Sequence, residues 1–513
     1  MKKTITHKLL FVTAAVGMFL SSCTKDFTET NTDPNNAPEA LPQQMLAPAL
    51  VNTLTYNMLR NRNFNNELMQ VTVNLSDADG QVFRYDYRNS LSDYLYNGWY
   101  DQLTNFKDID TIARTPLNFN TSYQGISLIC QSWIYSLLTD TYGDVPYFQS
   151  NKAKKEYGGI TEPAFDRQRD IYLDIFKKLE VANDLLKNGT AIVASSDPVY
   201  NGNIGRWRKF GNSLYLRLLL RLSGKAEVAA LVQAKIKDIV ETNAANYPII
   251  ASNDESAILK WTGIPPYTSP YLAVREQDWR QPAIASFFID NLVIWNDPRI
   301  DLGYGTGSPT KINRWAIAPY QGSFVGVPSG YSPGTGVSQR SYFYSTTANS
   351  NTGPTLMTEP LAGMMMNFAE VKFILAEVAL KGWIGGSAET YYKDGVANSI
   401  KLWLPTWSVP IDTYLTGASM EWSTAPTFDA KMERIHLMKY YALFLTDLQQ
   451  WFEYRRTGLP NLPKGPGLRN NGVMPARMTY PVYVQSTNPT NYQAAIAAQG
   501  PDLISTQVWW QKP

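Results

Sequence analysis

Cysteine and histidine are nearly missing from this chain: its 513 residues hold two of each, Cys23 and Cys130, His7 and His436. A zinc site built from His and Cys needs several such ligands, and a Ser-His-Asp triad needs an available imidazole. So few candidates leave little room for either chemistry. A charge excess is missing too, since 46 Lys and Arg face 44 Asp and Glu. That balance argues against nucleic acid as a partner. Beyond residue 23 no apolar run approaches the ~18–20 residues that cross a bilayer.

What apolar run there is stands at the start. Lys2, Lys3 and Lys8 precede or flank it, Leu9–Leu20 forms it, and Leu20-Ser21-Ser22-Cys23 closes it. A basic start, a short apolar core and small residues before a cut describe a secretion signal. The last four residues resemble the bacterial lipobox, whose cysteine is acylated and becomes the mature N-terminus; the alternative is an ordinary signal with a bystander cysteine. At ~0.8 kcal/mol per buried CH₂, three acyl chains hold where one holds only marginally. Residues 1–22 are therefore read as a lipoprotein signal peptide and Cys23 as the lipidation site. Residues 23–42 are polar and proline-bearing, a flexible tether spanning roughly 20–25 Å if coil-like. Loss of the leader takes away His7 and three lysines, so the mature chain is one charge negative, with Cys130 unable to form an internal disulfide and His436 its only imidazole.

Residues 43–513 show no linker or charge block that would divide them, and are expected to form a single body. Helical periodicity dominates. Ile126, Ile129, Cys130, Trp133, Ile134, Leu137 and Leu138 make one stripe, which places Cys130 in a core. Ile171, Ile175, Leu179, Ala182 and Leu186 make a second, Trp207, Phe210, Leu214 and Leu218 a third. Further helices are expected at about 225–243, 282–295, 364–382, 387–403 and 431–456, a mainly α protein. Helices 364–382 and 387–403, joined by a glycine-rich turn, have a tetratricopeptide-like layout that must stack on other pairs to bury its apolar face. His436 falls in the last of these helices and is expected to be packed or on the helix surface.

Between about 244 and 360 the periodicity fails, and proline, glycine and aromatics crowd the turns. Irregular segments on a rigid scaffold are where binding commonly sits. An exposed ring offers flat apolar area at low entropic cost, suited to a sugar face or a peptide side chain. Candidate ligand contacts are Tyr267, Tyr271, Trp279, Tyr304, Trp315, Tyr320, Tyr331 and Tyr342. Tyr94, Tyr96, Trp99 and Tyr100 instead share a helical run with Leu91, Leu95 and Leu103 and are expected to pack.

Acid-base and metal motifs are weak. Asp140 and Asp144 flank a helix stop at Gly143 and are read as acceptors of backbone N–H groups in that turn. Asp77-Ala78-Asp79-Gly80 has the look of a calcium loop, but its first ligand position falls on Leu75, which has no side-chain oxygen. Gly303-Tyr304-Gly305-Thr306-Gly307 lacks the strand and helix a phosphate loop requires and is read as a turn. Glu370 and Glu377 lie seven apart beside an apolar stripe, and partly buried acids need partners; arginines in 207–221 or 451–456 are the expected ones. Neither catalytic residue, metal nor cofactor is expected.

Four segments in order resemble the SusD/RagB family of Bacteroidetes, in its SusD-like branch: Leu138–Tyr147, Trp207–Arg217, Asn367–Glu377 and Trp451–Pro460. Cys23 followed by Asn31-Thr32-Asp33-Pro34-Asn35 and the closing Trp509-Trp510 match too. The resemblance implies a SusD-like α fold of tetratricopeptide-like helix pairs. It further implies a surface-exposed, lipid-anchored outer-membrane protein that binds an oligosaccharide or oligopeptide and passes it to a SusC-like TonB-dependent β-barrel. Thr24-Lys25-Asp26 looks like the signal that sends such lipoproteins to the outer face. An all-α glycoside hydrolase and a scaffold without small ligand are the competing readings. One departure concerns the stretch after Arg477–Pro481, where relatives often carry a glutamate and this chain has Val482-Tyr483-Val484-Gln485.

Overall fold

The computed structural model describes residues 40–302, 312–346 and 355–512. The helices expected from the apolar stripes form where a side chain caps the entry and a glycine or a tertiary contact ends the run. Helix α1 is Pro42–Arg60, α2 Ser90–Ile112, α3 Thr121–Tyr142, α4 Gln168–Lys187 and α5 Ile204–Arg221. They continue as α6 Ala229–Lys237, α7 Glu276–Arg280, α8 Ser286–Ile294, α9 Phe368–Leu380 and α10 Ala388–Trp403. The C-terminal part adds α11 Ile411–Gly417, α12 Phe428–Ala442, α13 Gln449–Thr457 and α14 Pro489–Gln499. Asn120 Oδ1 accepts the N–H groups of Ser122 and Tyr123 at the start of α3, and Asn203, Asn367, Ser387 and Thr427 cap α5, α9, α10 and α12 in the same way. Helix α3 stops at Gly143, whose φ of 85° a side chain would resist.

Packing runs from neighbour to neighbour: α1 on α2, α2 on α3, α3 on α4, α4 on α5, then α5 on α9, α9 on α10, and both α9 and α10 on α12. This is the mainly α architecture of stacked helix pairs that the periodicity and the resemblance imply. Apart from Thr121, every residue of α3 is buried, Cys130 among them. Several of its polar side chains bond nearby backbone, as where Gln124 donates to Ala113 O and Ser132 to Leu128 O. Pro42–Pro513 is one compact unit.

Strands are short and antiparallel: β1 Thr72–Val73 pairs with β5 Ala283–Ile284, β2 Val145–Pro146 with β3 Phe165–Asp166, β4 Ala257–Leu259 with β8 Gly363–Met366, and β6 Ile317–Ala318 with β7 Tyr342–Phe343. Two of them correct the helical expectations. Residues 283–284 and 363–366 are strand, so α8 and α9 begin only at Ser286 and Phe368. Asn367 decides the second boundary, because its Oδ1 caps Glu370 N while its amide donates to Ala442 O across the fold.

The expected helix 431–456 is likewise two helices, α12 and α13, broken at 443–448. No glycine or proline marks the break. Leu445 and Asp447 take φ of 68° and 31°, and the freed groups are met by a π-helical turn after α1. Asn61 Nδ2 donates to Asp447 O at 2.6 Å, while Asn65 bonds Gln450 Oε1 and Trp451 N. These partners lie nearly four hundred positions away in sequence, which is why local pattern misses the break.

The four segments that carry the family resemblance meet in the interior. Arg217 of α5 grips Glu370 of α9 through two 2.6 Å contacts and donates to Met365 O. Arg456 bridges Glu377 and Glu453, Lys439 reaches Glu453 at 2.7 Å, and Arg221 joins Glu453 to Asp140. Burial opposes ionisation of Glu377 and Glu453, yet Arg456 beside them holds both well below the usual carboxylate range. The pairing expected for Glu370 and Glu377 is thus present, with both named arginine segments contributing. Asp140 corrects the turn reading: it accepts from Tyr172 Oη and Trp510 Nε1 inside the core. Asp144 accepts Gln168 N, at the start of α4 rather than in its own turn. After the Arg477–Pro481 stretch, Asp502 meets the buried Arg477 at 3.2 Å and accepts Tyr480 N.

Candidate functional site

The irregular region carries eight aromatic candidates, and the structure divides them. Trp315 is fully buried, stacked on Phe288 with the Arg299 guanidinium 4.5 Å over its ring. Tyr271 and Trp279 are buried against each other, Tyr271 donating to Met58 O and Trp279 to Tyr344 O. These three expected contacts are buried rings that support the loops, whereas the expectation was of exposed ones. Tyr331 retains 9% of its surface, stacked on Phe83 beneath Arg84. Tyr267, Tyr320 and Tyr342 are half-buried at the surface, while Tyr304 and Cys23 lie outside the described residues.

Of the half-exposed rings, Tyr342 lines a cleft. Glu276, Gln277 and Arg280 of α7, Gln281, Arg340 and Tyr342 of β7 enclose about 610 Å³, within the range of small-molecule sites. Arg340 and Tyr342 stand two apart approaching and entering a strand and so share a face; Glu276 and Arg280 stand four apart on a helix and do the same. The guanidinium of Arg280 lies 5.1 Å and that of Arg340 5.8 Å from the Tyr342 ring centre. Glu276 Oε1 receives Arg280 at 3.1 Å and the Ser345 hydroxyl at 3.1 Å. Arg340 donates to the carbonyls of Arg280, at 3.0 Å, and Gln281. The two arginines are therefore held by protein acceptors while flanking one ring. Such a site offers a flat apolar surface bordered by fixed donors, the combination that binds a ring bearing hydroxyl groups.

Of this cleft's lining, reasoning from aromatics alone names Tyr342 and passes over Arg280, Arg340 and Glu276. The Arg340-Ser341-Tyr342 alternation was the available signal.

Among the described residues, one group of His and acidic side chains is close enough to share a cation: Glu377, His436 and Glu453. Arg456 already bridges both acids, and Lys439 takes Glu453. The group is a buried salt bridge, with His436 packed inside it. Burial pushes the His436 imidazole down while Glu377, 3.3 Å away, pulls it up, and burial prevails. The acids of the apparent calcium loop turn apart: Asp77 pairs with Arg84, Asp79 with Arg469, and Asp86 accepts Gly80 N.

Residues 34–481 match the SusD-like_2 family, described as starch-binding associating with outer membrane. The chain belongs to this SusD-like family. Its solved relatives agree in fold. A SusD homolog from Bacteroides fragilis is 25% identical, with TM-score 0.74 over 92% of this chain and 100% of that one. A chitin-binding SusD homolog from Flavobacterium johnsoniae is 19% identical, with TM-score 0.74 over 92% and 98%. A chitin-binding protein is 22% identical, with TM-score 0.71 over 92% and 99%. No curated protein matches. In this SusD-like chain the family's segments contribute to the buried ion-pair network, and none of their residues lines the Tyr342 cleft. No helix among the described residues is long and apolar enough to cross a membrane.

Proposed function

We propose that this SusD-like protein is a lipid-anchored, surface-exposed binding protein that captures an oligosaccharide at the Tyr342 cleft and passes it to a SusC-like TonB-dependent outer-membrane transporter. The family match over residues 34–481 carries the reading. Two of the solved relatives are named for chitin binding, which favours a glycan over a peptide. Cys23 would supply the anchor and residues after it the tether. The cleft's chemistry supports binding over hydrolysis there: glycoside hydrolysis uses two carboxylates, and Glu276 is the one acid on this wall, engaged by Arg280 and Ser345.

Calorimetry on the mature chain with malto-, cello- and chito-oligosaccharides tests the reading. One series should bind, and Tyr342→Ala should weaken it about 5–30-fold, the ~1–2 kcal/mol of a stacked ring. Unchanged affinity in that variant would remove the cleft from the account, and release of reducing ends would make the protein an enzyme. Co-purification of a β-barrel from gently solubilised outer membranes, lost in Cys23→Ser, tests anchor and partner together.

A further inference from the structure

A second cleft, sharing no residue with the first, lies on the helical side of the molecule. It encloses about 540 Å³ between α2 (Tyr96, Tyr100), the Pro146–Phe165 segment and the short helix Val484–Thr487 with its flanks. These walls are distant in sequence and are pinned to one another. Tyr100 Oη donates to Pro146 O at 2.7 Å, Asn488 Nδ2 to Pro163 O at 2.7 Å, and Tyr483 Oη to Asn97 Oδ1. Asn151 spans the floor, its amide donating to Tyr100 O and Thr104 Oγ1, both at 2.8 Å. Its Oδ1 has no protein partner. A cleft tied at four points is preorganised and loses little order when filled.

The lining is rings, amides and hydroxyls: Tyr100, Phe165 and Tyr483 supply apolar area, and Asn97, Asn151 and Thr487 supply hydrogen-bonding groups. Asp101 is the single charge, and neither lysine nor arginine lines the cavity. A phosphate, sulfate or uronate would find no counter-charge there, whereas uncharged hydroxyls find both donors and acceptors beside aromatic carbon. Ser150 and Asn151 also line an adjoining cleft of about 180 Å³, formed with Lys107, Asp108, Lys152 and Tyr157, so an occupant longer than one ring has somewhere to run, and the neutral preference belongs to the larger cleft alone.

The geometry points to a second carbohydrate-binding site in this cleft, selective for a neutral oligosaccharide. It stands independently of the Tyr342 site, which carries two arginines and differs in charge. The test is calorimetry of the mature chain with maltohexaose, cellohexaose and chitohexaose, on the native protein, on Tyr342→Ala and on the pair Asn97→Ala/Asp101→Ala. Asn97 and Asp101 are both exposed, so the variant should stay folded, with the loss of the Tyr483–Asn97 bond lowering the melting temperature only slightly.

One hexaose should titrate two classes of site in the native protein. Asn97→Ala/Asp101→Ala should weaken one class at least tenfold, and Tyr342→Ala the other alone. An isotherm indifferent to the Asn97/Asp101 change overturns the second site, as does binding of none of the three sugars. Tighter binding of an oligogalacturonate than of every neutral hexaose overturns its selectivity. Loss of all binding in Asn97→Ala/Asp101→Ala, with Tyr342→Ala silent, would keep this site and retire the loop cleft instead.

Discussion

Replacing Arg217 by methionine isolates what the family's segments do. Both side chains of the Arg217–Glu370 pair are buried, 2% and 1% exposed, and the two 2.6 Å contacts form a bidentate fork. With the arginine gone, the Glu370 carboxylate keeps its place in a region closed to water without its counter-charge. Stranding one member of a buried pair costs about 3–5 kcal/mol. The damage spreads to Asp447, which burial pushes to about 6 while Arg217 pulls it down. Exchanging both partners, Arg217→Met with Glu370→Leu, removes the stranded charge, and such isosteric swaps are often neutral or stabilising. The double variant should therefore be more stable than either single one. Denaturant midpoints followed by tryptophan fluorescence measure the cycle, with the buried Trp207 on the same helix as Arg217. Glycan affinity of the folded fraction should not change, because the pair is far below the surface. A loss under about 1 kcal/mol for Arg217→Met, or no recovery in the double variant, would refute the view that these segments serve the fold through paired buried charge.

Burial pushes Glu67 up to about 8, against a bond from the Phe83 backbone and the charge of Arg62. Its folded pKa is above the unfolded one, so the stability it lends is full below about pH 4.5 and drains away as pH rises to 8. Glu67→Gln should be near neutral at pH 4.5 and stabilising by on the order of 3–5 kcal/mol at pH 8, seen as melting curves that diverge with pH; parallel curves would contradict it. At the α9–α10 crossing, a Cβ on Gly395 would sit 2.8 Å from the Phe373 ring, whereas Gly417 in α11 faces open space. Gly395→Ala should destabilise by about 1–2 kcal/mol and Gly417→Ala should stabilise by up to about 1 kcal/mol, the same substitution with opposite sign in thermal melts.

Legibility followed the range of the forces. The stripes of α3, α4 and α5 and the capped start of α10 are written within a few turns, and each forms where periodicity places it. Boundaries set from afar are not: β8 exists because β4 pairs with it, and the break after Ala442 exists because Asn61 and Asn65 satisfy its backbone. The aromatic set failed for a related reason. Trp315, Trp279 and Tyr271 occur in turn-rich sequence that looks exposed, yet a loop of that length needs its own apolar posts, and these rings are the posts. What a ring faces is a tertiary property, so composition located the region without separating its supports from its surface.

That separation also explains how one fold accommodates different ligands. The interior charges join α3, α5, α9, α12 and α13 through Asp140, Arg217, Arg221, Glu370, Glu377, Lys439, Glu453 and Arg456, so a change at any one strands another. Neither cleft contains any of these residues. Substitution on the cleft walls, as at Arg280, Arg340 or Asn97, leaves the network whole. The residues by which the family is recognised are thus the ones least informative about its ligand, and specificity is to be sought in the cleft side chains, of which Pro146 alone belongs to a shared segment.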